Sequence, residues 1–164
     1  MSTPPSSSTT TRDSLHAAAT SLCASFASHA PLPVLLAHFS STHALSAHEH
    51  GLPQLAPFVG RTFEGRAGLE EYFGLLQKHL TYEDMVFDSW TIDASARKVS
   101  VRGSARFHWT EGAGAGQWWD ERFVHMLDFD DECKITDYQV WADTGAAYLA
   151  RMGRLDELRN EVAF

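Results

Sequence analysis

No stretch of this chain approaches the ~18–20 consecutive apolar residues that cross a bilayer as a helix, so a membrane-spanning helix is not expected. The opening segment, Met1 to Thr11, carries Ser, Thr and Pro where a secretory leader needs an apolar run. There are two cysteines, Cys23 and Cys133. Their spacing matches no metal motif, and they are expected as free thiols in a reducing, cytoplasmic compartment. Positive charge is scarce: 13 Lys and Arg face 21 Asp and Glu, a net charge of −8. That balance argues against a nucleic-acid partner and against an anionic membrane surface. Also missing are a Gly-rich phosphate cradle, a serine nucleophile elbow and a Cys–His nucleophile pattern.

What remains is apolar and aromatic. The 164 residues are 44% apolar and 12% aromatic, enough for the full core of one domain. Residues 1–12 read as a Ser/Thr/Pro-rich tail and 13–164 as a single domain. Asp13 is placed to cap a helix whose stripe is Leu15, Ala18, Ala19, Leu22, Cys23 and Phe26. Pro31 and Pro33 interrupt the chain before a short helix over 34–40. A short strand is expected around 44–49, a loop over 52–61, and a third helix over 69–80. The period then changes from helical to alternating. Residues 85–92 read as a strand. In 98–109, Val99, Val101, Gly103, Ala105, Phe107 and Trp109 share one face, and Ser100, Arg102, Ser104, Arg106 and His108 the other. A long hairpin follows, Trp118 to Phe129 and Lys134 to Asp143, and a last helix is expected from Ala146 to about Arg159. Helices first and antiparallel strands after them indicate an α+β fold.

Phe63 to Phe73 (FEGRAGLEEYF), the Lys134-Ile135 strand and the ending Trp141 to Ala150 (WADTGAAYLA) together carry a resemblance. Over residues 14–150 the chain resembles the nuclear-transport-factor-2-like superfamily, in its SnoaL-like branch of polyketide cyclases and ketosteroid isomerases. The ending is similar to fungal members of that branch. The resemblance implies a cone-shaped, strongly curved, mostly antiparallel sheet with three N-terminal helices packed on the concave side and a C-terminal helix. It also implies a homodimer paired through the sheet, and chemistry that uses no cofactor. Two features depart from the family. The closing-strand carboxylate of its epoxide-hydrolase-like members falls at Val140, and no Tyr lies in helix 14–29.

The hairpin holds the candidate chemistry. With Asp131-Glu132 as a two-residue turn, His125 faces Tyr138 and Phe123 faces Val140. Trp119, Glu121, Phe123, His125, Leu127 and Phe129 then share the concave face with Tyr138 and Val140. His125, titrating near neutrality, is the expected proton carrier, with Tyr138 donating to a developing oxyanion. The competing reading is a core histidine bonded to a core tyrosine. Glu121 lies two pleats from His125, roughly 13 Å along the strand, and would act on another atom. An extra residue in the turn would instead expose it.

His38, His43, His48 and His50 surround Glu49. His-x-His on a strand puts two rings on one face; a third ligand would have to come from elsewhere, from His125 or Glu121, and no metal is expected. His50 is a candidate binder or proton donor at the mouth of the cone. Trp90, Phe107, Trp109, Trp119, Phe123 and Val140 are candidate substrate contacts, which favours a small apolar or aromatic metabolite. The functional expectation is a cofactor-independent isomerase, dehydratase or cyclase acting on a largely apolar carbonyl compound. The alternative is a module that uses the same cavity to bind without turnover.

Overall fold

The computed structural model describes residues 7–161. In chain order the elements are α1 (Ser7–Ala27), α2 (Leu32–Leu36), β1 (Ser46–Glu49), β2 (Thr62–Glu64), α3 (Gly65–His79), β3 (Leu80–Asp93), β4 (Lys98–Trp109), β5 (Trp118–Phe129), β6 (Ile135–Trp141), α4 (Thr144–Arg151) and α5 (Leu155–Glu161). The strands form one sheet in the order β2-β1-β6-β5-β4-β3. Only the β1–β6 pair is parallel. The result is an unclosed sheet in an α+β fold, curved and mostly antiparallel as the resemblance implied.

The curvature has a local cause. β3 loses register with β4 between Glu83 and Val86, and again between Asp88 and Thr91. Asp84 and Ser89 adopt φ of 55° and 56° at those two places. Each bulge bends the strand and increases its twist. β4 alternates as its sequence dictates: Val99, Val101, Ala105 and Trp109 are buried. Gly103 pairs with Phe123 across the β4–β5 ladder. The Phe123 ring occupies the space a side chain at 103 would need, 2.3 Å from an ideal Cβ. α1 closes the concave side with Leu15, Ala19, Leu22, Cys23 and Phe26, all buried.

Several boundaries differ from expectation. α1 begins at Ser7, so residues 7–12 are helical and Asp13 lies inside the helix rather than at its cap. Arg12 donates to the Ile92 carbonyl at 3.1 Å, a tertiary anchor that composition does not reveal. The rest of the expected tail, residues 1–6, lies outside the described residues. The expected last helix is two helices, broken where Gly153 turns with φ +69°.

The hairpin register is also corrected. His125 pairs with Val140 and Leu127 with Tyr138, two residues away from the pairing a tight turn gives. The turn is one residue longer, closed by Asp130 N–H donating to the Lys134 carbonyl at 2.8 Å. Asp130 Oδ1 also accepts from the Glu132 and Lys134 amides, and Cys133 takes φ 58°. One extra residue would flip every side chain to the other face. A bulge between Asp128 and Phe129 supplies a second, and the two offsets restore the original facing. Glu121, Phe123, His125, Tyr138 and Val140 are accordingly all buried.

Candidate active site

A cavity of about 300 Å³ opens between the sheet's concave face and the ends of α1 and α3. Of the sequence-derived candidates, Glu121, His125, Tyr138, Phe107, Trp119 and Phe123 line it, as does Val140. Three others do not. His50 sits on the opposite face of the sheet, stacked on Trp141 at 4.1 Å and 2.7 Å from Gln139 Oε1. Trp90 meets the edge of His16 on α1. Trp109 is buried where β4 ends, stacked on His79 at 5.3 Å and beside Phe58.

β1 explains the displacement of His50. Along this strand Ala47 and Glu49 point inward, while Ser46 and His48 are half-buried on the outer side. The residue that enters the cavity is therefore Glu49, one position before His50. The signal was present in the sequence: if His48 and His50 share a face, Glu49 takes the other. Tyr72, on the buried stripe of α3, donates to Glu49 Oε2 at 3.0 Å. Of the remaining histidines, His48 lies beside His50, ring centroids 4.6 Å apart, and His38 and His43 lie elsewhere. His38 bonds Ser25 Oγ at 2.9 Å, His43 bonds Thr42 Oγ1 at 3.0 Å, and His48 bonds Thr62 Oγ1 at 2.9 Å. Among the described residues no three His, Cys, Asp or Glu side chains assemble into a metal site.

The electrostatics of the cavity are unusual. Burial pushes the Glu49 carboxyl from 4.5 up to about 8; the Tyr72 hydrogen bond opposes the rise and the charge of Glu121 adds to it. Burial likewise lifts Glu121 to about 7, against the hydrogen bond donated by Trp119 Nε1 at 2.7 Å and one from the Asp143 amide. The charge of Asp143 adds to the rise at Glu121, and two carboxyls thus share one apolar chamber with their proton affinities raised toward neutrality. His125 behaves oppositely. Its Nε2 lies 3.0 Å from the Tyr138 hydroxyl, and burial drives its pKa down to about 3. It stays neutral across the physiological range, which corrects the expectation of a histidine titrating near pH 7. Phe26 reaches it from α1 at 5.6 Å and Phe123 from its own strand at 4.9 Å, and this apolar enclosure removes the water an imidazolium needs.

Chemically, an ionised Glu121 can accept a proton and a protonated Glu49 can donate one or stabilise a developing oxyanion. Asp143, also at the cavity wall, is engaged in capping α4, where Oδ1 accepts from the Ala146 amide at 2.9 Å. Cys23 and Cys133 are free thiols, and burial holds Cys23 up at about 12. Among the described residues no helix is long and apolar enough to cross a membrane.

No protein-family model matches the chain, and no curated protein matches it. Solved structures do. One is a protein from Bacillus subtilis provisionally assigned as an isomerase, with TM-score 0.69, 11% identity, and coverage of 86% of this chain and 94% of that one. Another is an NTF2-like protein of unknown function from Burkholderia pseudomallei, with TM-score 0.66, 15% identity, and coverage of 80% and 92%. A third, from Xanthomonas campestris pv. campestris, is provisionally assigned as a polyketide cyclase, with TM-score 0.60, 17% identity, and coverage of 80% and 91%. At these identities the likeness is one of architecture, and on that ground this chain has the nuclear-transport-factor-2-like fold.

Proposed function

We propose that the protein is a cofactor-independent enzyme that moves a proton on a largely apolar, carbonyl-bearing metabolite, with Glu121 as base and Glu49 as acid. One observation carries this reading: two carboxyls lie buried in the same aromatic-lined cavity, each with its pKa raised toward neutrality. Structural carboxyls in apolar surroundings are ordinarily neutralised by a cation. Among the described residues no Lys or Arg lines this cavity. Perturbed carboxyls in a cleft are instead the arrangement that acid/base catalysis uses.

In the proposed step, ionised Glu121 removes a proton from the carbon beside the carbonyl. The electron pair moves into the carbonyl, and the oxygen takes the proton of Glu49. The resulting enol returns to a carbonyl by the reverse transfers at the same or a conjugated carbon. Every proton and electron pair is accounted for, and no redox partner is required. His125 is too weak a base for the role first assigned to it, and His50 is outside the chamber. The provisional isomerase and cyclase assignments of neighbours with this fold accord with the reading.

The convex face exposes Trp118, Val124 and Trp141, which supports pairing of two copies through the sheet in a cytoplasmic protein. Sedimentation velocity is expected to show a dimer, and a monomer at micromolar concentration would refute that pairing.

The chemistry is tested without knowing the substrate. Apolar ketones that bind the protein are incubated with it in D2O, and deuterium at the α-carbons is read by mass spectrometry. Wild type incorporates deuterium; Glu121→Gln slows incorporation by about 100-fold or more while binding persists. Ligands that bind wild type yet never exchange would support the alternative, a non-catalytic binding module.

A further inference from the structure

The proposed proton transfer needs one carboxyl ionised and the other protonated. Among the described residues no Lys or Arg lines the chamber, so a carboxylate there is stabilised by the N–H and O–H groups that point at it. The two carboxyls differ in what those groups are. Glu121 Oε2 accepts from Trp119 Nε1 at 2.7 Å, in a buried contact. Glu49 Oε2 accepts from the Tyr72 hydroxyl at 3.0 Å, also buried. An indole N–H can only donate, whereas a phenol can turn, donating to a carboxylate or accepting from a carboxylic acid. Tyr72 therefore serves Glu49 in either state. Trp119 is best satisfied when the oxygen it meets is charged, because a hydrogen bond to an ionised acceptor is roughly twice as strong as one to a neutral acceptor.

Packing holds Trp119 independently of its acceptor. It is 3% exposed, it pairs with Phe107 across the β4–β5 ladder, and the two rings stack at 5.7 Å with their planes 23° apart. Positions 119 and 121 alternate on one strand, so both side chains leave the same face. Among the described residues Trp119 is the one side chain that donates to Glu121, joined by the Asp143 amide. The other titratable groups facing the chamber are Glu49 from β1, Tyr72 from α3, Tyr82 from β3 and Tyr138 from β6, with His125 on β5 itself. His29 follows α1 and Asp143 precedes α4. Glu121 also borders a separate hollow that holds Asp84, Arg122 and the Arg106–Asp120 pair. Glu121 ionises near 7 and Glu49 near 8. A charge-assisted bond in a buried site moves such a midpoint by about one pH unit or more, so this single contact is large enough to set the order.

We infer that Trp119 is the positioning residue that divides the roles of the two carboxyls: its indole N–H holds Glu121 as the carboxylate, and leaves Glu49, whose phenol partner accepts either state, as the acid. This deepens the proton-transfer reading and rests on it for calling Glu121 the base. It adds the group that decides which carboxyl gives up its proton first.

Three measurements test it. In wild type, the proton–nitrogen NMR signal of the Trp119 indole is expected to move downfield as Glu121 ionises, with a midpoint near 7. A signal that stays in place from pH 6 to 9 overturns the inference, and this arm needs no variant to fold. Next, benzothienylalanine is incorporated at position 119. It keeps the shape of the indole, puts sulfur where the N–H was, and identifies the Trp119 signal by its loss. In that protein the carbon-13 midpoint of Glu121 is expected to rise by about one pH unit or more, to or past that of Glu49, while the Glu49 midpoint does not rise. Loss of shape alone would not produce this, since the shape is kept. A Glu121 midpoint that stays near 7 overturns the inference. Finally, the acid limb of α-carbon exchange is expected to move up with Glu121 by the same amount, and a limb fixed near 7 overturns it as well. Wild type that exchanges no ligand would defeat the proton-transfer reading alone, because both NMR results stand without turnover.

Discussion

Replacing Glu49 by Gln isolates the energetic consequence of a carboxyl kept protonated by its surroundings. The folded protein raises this group from 4.5 to about 8. Between those pH values the folded state holds a proton that the unfolded chain has released. Stability must therefore fall as pH rises, at about 1.4 kcal/mol per pH unit. Over the whole interval the loss is about 5 kcal/mol, a large share of the roughly 5–15 kcal/mol that holds a domain together. Gln keeps the shape, and its amide oxygen still accepts from Tyr72, but it does not titrate. His125 contributes with the opposite sign. Its folded pKa of about 3 lies below 6.5, so its stabilisation is present above pH 6.5 and lost as pH falls toward 3. Glu121 contributes with the sign of Glu49, up to about pH 7. Subtracting the two proteins cancels the His125 contribution and leaves that of Glu49 together with its coupling to Glu121. Urea unfolding is the assay. Glu49→Gln is expected to gain about 4 kcal/mol on wild type between pH 5 and pH 8. A difference that stays constant across that range would mean Glu49 ionises normally, and the reasoning about the cavity would fail.

Other consequences are open to experiment. The pH profile of kcat/KM is expected to rise through about 7 as Glu121 ionises and to fall through about 8 as Glu49 loses its proton. Because the two groups interact, both limbs belong to the pair, and a flat profile from pH 6 to 9 would contradict the assignment. His50→Ala leaves the rate of α-carbon exchange unchanged, since the ring is stacked outside the chamber on Trp141; a large loss would place it in the mechanism after all. Gly103→Ala drives a methyl into the Phe123 ring and is expected to cost about 1–3 kcal/mol in denaturant unfolding. Gly103→Ala combined with Phe123→Leu should recover part of that loss.

The sheet was legible where the pattern is local. The alternation of β4 from Val99 to Trp109 decides its buried face without any tertiary knowledge. The hairpin was legible in its facing but not in its pairing. Neither the left-handed residue at Cys133 nor the bulge after Asp128 is announced by a glycine, and facing survives only because two single-residue offsets cancel. Glu49 was overshadowed by the histidines around it, although strand alternation alone assigns it inward. The protonation states were not legible at all. They depend on Phe26 and Tyr72, brought from α1 and α3, and so on packing between segments distant in the chain. The same holds for the broken last helix, where Gly153 closes against the Ala113 carbonyl from the loop before β5.

The central claim is that two carboxyls inside the cone are held partly protonated near neutral pH. Carbon-13 NMR titration of the glutamate side-chain carboxyls, with Glu49→Gln and Glu121→Gln for assignment, tests it most directly. The expected result is two midpoints far from the rest, near 8 and near 7. Midpoints near 4.5 for both residues in the folded protein would contradict it.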